Sequence, residues 1–240
     1  MTSAEAPELM TMSTAPPRTR PQLGDEAASY VRDQITSGTL TPGTHVRPEV
    51  IATELGISST PAREALQALR AEGFLELSPR RGFTVANFSG SDVRDMFLMQ
   101  SMVAGELAAR AAAKVTPELV QRLAQVHTAL DAAAARGDFE GVEELNHQFH
   151  REINLAAGAP KLSWVLKTVA RYAPRRFYAS IEGWAETTLE DHSGILDAVR
   201  NGNVEDARAE MAEHVLHAGE QLARHVDARS SLESTEEAAR

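Results

Sequence analysis

Cysteine is absent from this 240-residue chain, which excludes disulfides and thiolate metal sites together. No apolar run approaches the roughly 18 residues that a membrane span needs. The opening MTSAEAPELM also lacks the basic and apolar blocks of a secretory signal. The expectation is a cytoplasmic chain with no membrane partner. An excess of basic charge is missing too: the net charge is −10, which argues against an unspecific polycationic nucleic-acid binder. After Ser91 no alternating strand pattern is found. What remains, 42% hydrophobic and 24% charged, is ordinary globular composition, enough for one large domain or two small ones.

The most informative stretch is IATELGISSTPAREALQALRAEGFLELSPRRGFTV, residues 51–85. Ile51 and Leu55 share a face at i and i+4 on a helix that begins at Pro48. Gly56 stops that helix, as a glycine able to take positive φ does. Ser58 is a favourable N-cap for the next helix, and Pro61 is tolerated in a first turn whose N–H groups have no helical partner. Ala62, Ala65, Leu66 and Leu69 line its inner face, and Gly73 ends it. Apolar runs around Phe74–Leu77 and Phe83–Val85 flank the turn Ser78-Pro79-Arg80-Arg81-Gly82, which predicts a small β-hairpin. Helix, glycine turn, capped helix and hairpin together make a winged helix-turn-helix, which puts the front of its second helix into the DNA major groove.

The residues that would meet DNA follow from that geometry. Ser59, Thr60 and Arg63 occupy the front of the second helix, and arginine has the fork that matches guanine or phosphate. Arg47 precedes the first helix of the pair, within reach of the DNA backbone, and Arg80, Arg81 and Gly82 tip the wing. Between residues 18 and 88, eight arginines meet eight acidic residues, so all the net negative charge lies elsewhere. A neutral DNA-binding unit on an acidic body suits a selective binder that relies on placed arginines and on dimerisation.

Residues 1–20 carry no apolar period and are expected to form a disordered tail. A helix from about Asp25 to Thr36 opens the DNA-binding domain, assigned to residues 21–87. The polar break Asn87-Phe88-Ser89-Gly90-Ser91 marks the boundary. From there the helical period predicts segments over 92–113, 117–136, 139–157, from 160, 184–200, and from 204 to about 229. Short turns at Gly137 and at Asn201-Gly202-Asn203 suit antiparallel neighbours. The fold class is therefore mostly α: a winged helix-turn-helix followed by an antiparallel bundle of six or seven helices over residues 91–229. Residues 230–240 are expected to form a second tail.

Histidines carry the chemistry of the bundle. Asn146 and His150 share a face at i and i+4, and His192 and His214 sit on two later helices. Imidazoles on facing helices with an oxygen donor beside them suit a divalent ion such as zinc or nickel. On spacing alone, core or surface histidines remain the alternative. His217 is placed to support His214 from one turn away, whereas His147 and His225 have weaker claims.

The run LGISSTPAREALQALRAEGFLEL followed by RRGFTV resembles the winged-helix domain of GntR-type transcriptional regulators, over about residues 22–87. The helical remainder is similar to the FadR branch of that family, with its FCD domain. Members of that branch show Asp or Asn, three residues, then His, and one His on each of two later helices; Asn146, His150, His192 and His214 match. The resemblance implies a homodimeric repressor on a palindromic double-stranded operator, controlled by a small carboxylate effector that a bound metal helps to hold. Relatives often carry Arg at the positions of Ser59 and near Glu49, which puts the operator sequence in doubt. Where relatives have Arg and Glu on the first bundle helix this chain has Gln100 and Ala104, so Gln100 with Arg171, Arg175 and Arg176 are the candidate effector contacts. Two other readings stay open on the residues alone. One is a metal-dependent hydrolase; the other is a constitutive DNA binder whose bundle only dimerises.

Overall fold

A computed structural model describes residues 19–78, 82–170, 178 and 183–238. Among them are nine helices and three short strands. The first unit contains α1 (Arg20–Thr36), β1 (His45–Val46), α2 (Pro48–Leu55), α3 (Ser59–Ala71), β2 (Leu75–Ser78) and β3 (Gly82–Val85). Its helix-turn-helix forms where the residue pattern requires it. Gly56 takes φ 63° and ψ 34°, the left-handed conformation that turns the chain from α2 into α3. Ser58 then takes the extended N-cap conformation ahead of α3. Ala62, Leu66 and Leu69 are fully buried against Val31, Ile51, Phe74 and Phe83 in one core.

The expected hairpin is present, with β2 and β3 antiparallel and Leu77 opposite Phe83. A further strand, β1, which no sequence pattern predicts, pairs with the other edge of β3 through His45–Thr84 and Val46–Phe83. Two residues are too few to show a period of two, and only the pairing with β3 makes them a strand.

The bundle comprises α4 (Gly90–Ala112), α5 (Pro117–Ala135), α6 (Phe139–Ala156), α7 (Pro160–Val169), α8 (Trp184–Arg200) and α9 (Val204–Ala238). Six helices agree with the expected number among the described residues. Helix α9 continues past Arg229 to Ala238, where the sequence reading expects a tail; no Gly or Pro follows Gly219 to stop it. Starts are set by local chemistry: Ser89 and Asp92 form a reciprocal capping box on α4, and Thr116 and Asp138 cap α5 and α6. Helix α4 is central, packed along α9 and also against α6, α7 and α8. It approaches α9 so closely that a Cβ on Gly219 would lie 2.5 Å from the Cβ of Phe97. The main bundle core joins Leu119, Leu123, Phe149, Ile153, Ile195, Val199 and Met211.

Among the described residues, an aromatic pair ties the first core to the segment leading into α4, and a cap ties the start of α4 to α9. Phe74 of the first core has its ring centroid 6.1 Å from that of Phe88, which itself packs on Val93, Phe97 and Leu222. The backbone N–H of Gly90 donates to Asp227 Oδ1 at 3.0 Å, and Arg94 pairs with both Asp227 and Glu220. Helix α9 thus reaches back to the start of α4.

Candidate functional site

The candidate DNA-facing surface is built by the fold around α3. Its buried face anchors the unit, which leaves Ser59, Thr60 and Arg63 exposed at its front. Arg47, the N-cap of α2, and Gly82, the first residue of β3, are exposed as well. Arg80 and Arg81 lie outside the described residues. The arginine of α3 has a partner that the sequence reading did not assign. Arg63 Nη2 lies 3.3 Å from Glu49 Oε1 on α2, with both side chains more than half exposed. The following Glu64 is paired with Arg20.

The histidine cluster lies between α6, α8 and α9. The side chains of His150, His192 and His214 each offer a nitrogen within 4.8 Å of the others. His150 Nε2 and His214 Nε2 face each other at 3.1 Å. His192 is fully buried, and neither of its ring nitrogens has a hydrogen-bond partner among the described residues. Its plane is fixed by stacking on Phe149, with centroids 4.0 Å apart and planes 13° from parallel. Buried polar atoms without partners are costly, so two in one imidazole mark a group built for something other than packing. Asn146 Oδ1 is likewise buried and unpartnered.

The electrostatics favour neutral imidazoles. Burial, reinforced by the neighbouring histidines, holds the pKa values of both His150 and His192 well below the ordinary range. Neutral imidazole is the form that ligates metal. Across α8, Asp191 accepts from His214 Nδ1 and from His217 Nδ1, each at 3.1 Å to Oδ2. Burial works against its carboxylate, but these two hydrogen bonds outweigh it and lower its pKa.

Three converging imidazole nitrogens are a donor set that fits a zinc- or nickel-type ion, and Asn146 Oδ1, buried without a partner one turn before His150, is the candidate oxygen donor. The other expected bundle residues are placed differently. Gln100 is buried and donates to the Val169 carbonyl at 3.4 Å, and Arg171, Arg175 and Arg176 lie outside the described residues. Asp191 was missed by sequence reasoning, as was His127, which meets Ser193 at 3.1 Å and comes within 6.5 Å of the His192 ring. On α4, Phe97 is core and Met99 is half exposed.

A winged helix-turn-helix joined to an all-helical bundle defines a two-part DNA-binding transcriptional regulator. Residues 23–85 match the family model described as bacterial regulatory proteins, gntR family, and residues 95–217 match the FCD domain. The chain belongs to the GntR family and carries an FCD domain. Among its relatives, the HTH-type transcriptional repressor RspR of Escherichia coli is 24% identical over 89% of this chain and 94% of its own. A probable D-xylose utilization operon transcriptional repressor of Paenarthrobacter nicotinovorans is 28% identical over 82% and 87%. The solved structure of E. coli McbR/YncC shares the fold with a TM-score of 0.67 at 23% identity, over 85% of this chain and 98% of that one. The family and these relatives are regulators and not enzymes. No helix among the described residues is long and apolar enough to cross a membrane.

Proposed function

We propose that the protein is a cytoplasmic, homodimeric repressor whose operator affinity is set by a small carboxylate bound at a metal in the bundle. Residues 21–87 would bind DNA, one half-site of a palindrome per protomer, with Arg47, Ser59, Thr60, Arg63, Arg80, Arg81 and Gly82 as its contacts. Residues 91–229 would bind the effector and dimerise. Asn146, His150, His192 and His214 would hold the ion. All four donors are neutral, so the ion keeps its full positive charge and offers an anion a coordination position. Gln100 and the arginines 171, 175 and 176 are the proposed polar contacts for the rest of the effector.

One observation carries the metal reading: a fully buried His192 with both nitrogens unpartnered, inside a triad of ring nitrogens within 4.8 Å. Regulation then requires that the effector bind two arrangements of the DNA-binding domains with different affinities.

The test is elemental analysis of the purified chain offered zinc or nickel at neutral pH, beside His150→Ala and His192→Ala. The expected result is about one ion per chain in the wild type and little in either variant, as loss of one of four ligands dictates. Both variants should still bind operator DNA, but a carboxylate that releases the wild type should have no effect on them. A wild type without bound metal would overturn the site.

A further inference from the structure

We infer that Asp191 is the positioning residue of the histidine cluster: it fixes His214 in the tautomer whose Nε2 lone pair faces His150 and His192. The inference rests on the metal reading above and deepens it. His214 is nearly fully buried. Its Nε2 faces His150 Nε2 at 3.1 Å and its Nδ1 faces Asp191 Oδ2 at the same distance. An ionised carboxylate only accepts, so His214 Nδ1 is the donor of that bond and carries its proton. With Nδ1 holding that proton, a ligating His214 presents its Nε2 lone pair to the cluster.

The same carboxylate takes a second hydrogen bond, from His217 Nδ1, one helical turn further along α9. Two donors on one helix thus lock the Asp191 side chain, and with it the His214 ring plane. Asp191 is shielded, with its side chain 15% exposed, so water competes poorly for it. The adjacent residue on α8, His192, supplies a cluster nitrogen itself. One short stretch of α8 therefore delivers both a ring nitrogen and the group that orients a second ring.

The charge distribution gives this a consequence. Asn146 and the three imidazoles bring no negative charge, and Asp191 sits one ring away from the converging nitrogens. A carboxylate hydrogen-bonded to the far side of a ligating imidazole raises that ligand's basicity without occupying a coordination position. The proposed site thus gains from a negative charge while leaving its inner positions neutral.

The experiment measures zinc affinity of the full chain against a chromophoric chelator, for the wild type, Asp191→Ala and the isosteric Asp191→Asn. In parallel, imidazole ¹⁵N NMR of the metal-free proteins reads the His214 tautomer. Both variants should bind zinc about 10–100-fold more weakly, the range typical of outer-shell partners, with unchanged stoichiometry at saturation. His214 should be the Nδ1–H tautomer in the wild type and shift towards Nε2–H in Asp191→Ala. Should that variant fail to fold, Asp191→Asn carries the affinity readout, and the wild-type tautomer alone tests the proton's place. Zinc bound equally tightly by the wild type and the variants, or a His214 tautomer indifferent to residue 191, overturns the inference alone. A wild type that binds no zinc overturns the metal reading and this inference together.

Discussion

Arg63 stands at the front of α3 with its guanidinium beside Glu49, a carboxylate that would face DNA phosphates if α3 entered a major groove. Exposed pairs of this kind contribute up to about 1 kcal/mol, enough to hold back an arginine that would otherwise neutralise a phosphate. Glu49→Gln should therefore bind a random-sequence duplex about 2–5-fold more tightly. Its plot of log affinity against log salt should steepen by about one phosphate contact. Fluorescence anisotropy across a salt series reads both, and affinity and slope unchanged from wild type would remove Glu49 from any role at DNA. At this scale the sequence revealed the inward histidines, because Asn146 and His150 repeat at one helical turn. It concealed Asp191. That residue is adjacent to His192, but its role depends on which side of α8 turns towards α9, and this is set by packing. His127 gave no signal at all, since nothing near it in sequence says that α5 lies against His192.

Helix boundaries were legible because Gly, Asn, Pro and capping residues punctuate the chain where the apolar period breaks: α2 spans Pro48–Leu55 and α8 spans Trp184–Arg200, as the residues predict. Strand β1 was not legible, and neither was the length of α9, for want of any local stop. The closeness of α4 and α9 was also hidden, although Gly219 is its trace in the sequence. The Cβ of alanine at 219 would meet Phe97 Cβ at 2.5 Å and Cγ at 2.6 Å. These atoms sit at the root of a buried side chain and cannot swing aside. Gly219→Ala should therefore destabilise the bundle by about 1–3 kcal/mol, the usual cost of overpacking. Alanine's better helix propensity offsets up to about 1 kcal/mol of that. Denaturant unfolding measures the difference, and a variant as stable as the wild type would show that the two helices separate at little cost.

The whole molecule has its own dependence on pH through the buried cluster. Burial first, and then His214, His150 and His127, hold the His192 pKa well below 6.5, its value in an unfolded chain. Between those two values the unfolded chain binds a proton that the folded chain refuses. Stability is thus complete above about pH 6.5 and falls as pH drops below it, by up to about 1.4 kcal/mol per pH unit for this group. Chelator-treated protein should show a lower Tm at pH 5.5 than at pH 7.5, and the difference should shrink in His192→Asn. An equal Tm at both pH values would contradict the assignment. The Asp227 cap on the start of α4, just after the Phe88 that meets Phe74, gives α9 a further property. It runs unbroken from His214, at the cluster, past Gly219, where it presses on Phe97, to Asp227 at the first residue of α4. At a rise of about 1.5 Å per residue, the arm from Gly219 to His214 is about 7.5 Å and the arm to Asp227 about 12 Å. With Gly219 as fulcrum, a tilt of α9 that moves His214 one way carries Asp227 the other way and about 1.6 times as far. Pivoting there, the helix would act as a first-class lever whose longer arm ends on the first residue of α4.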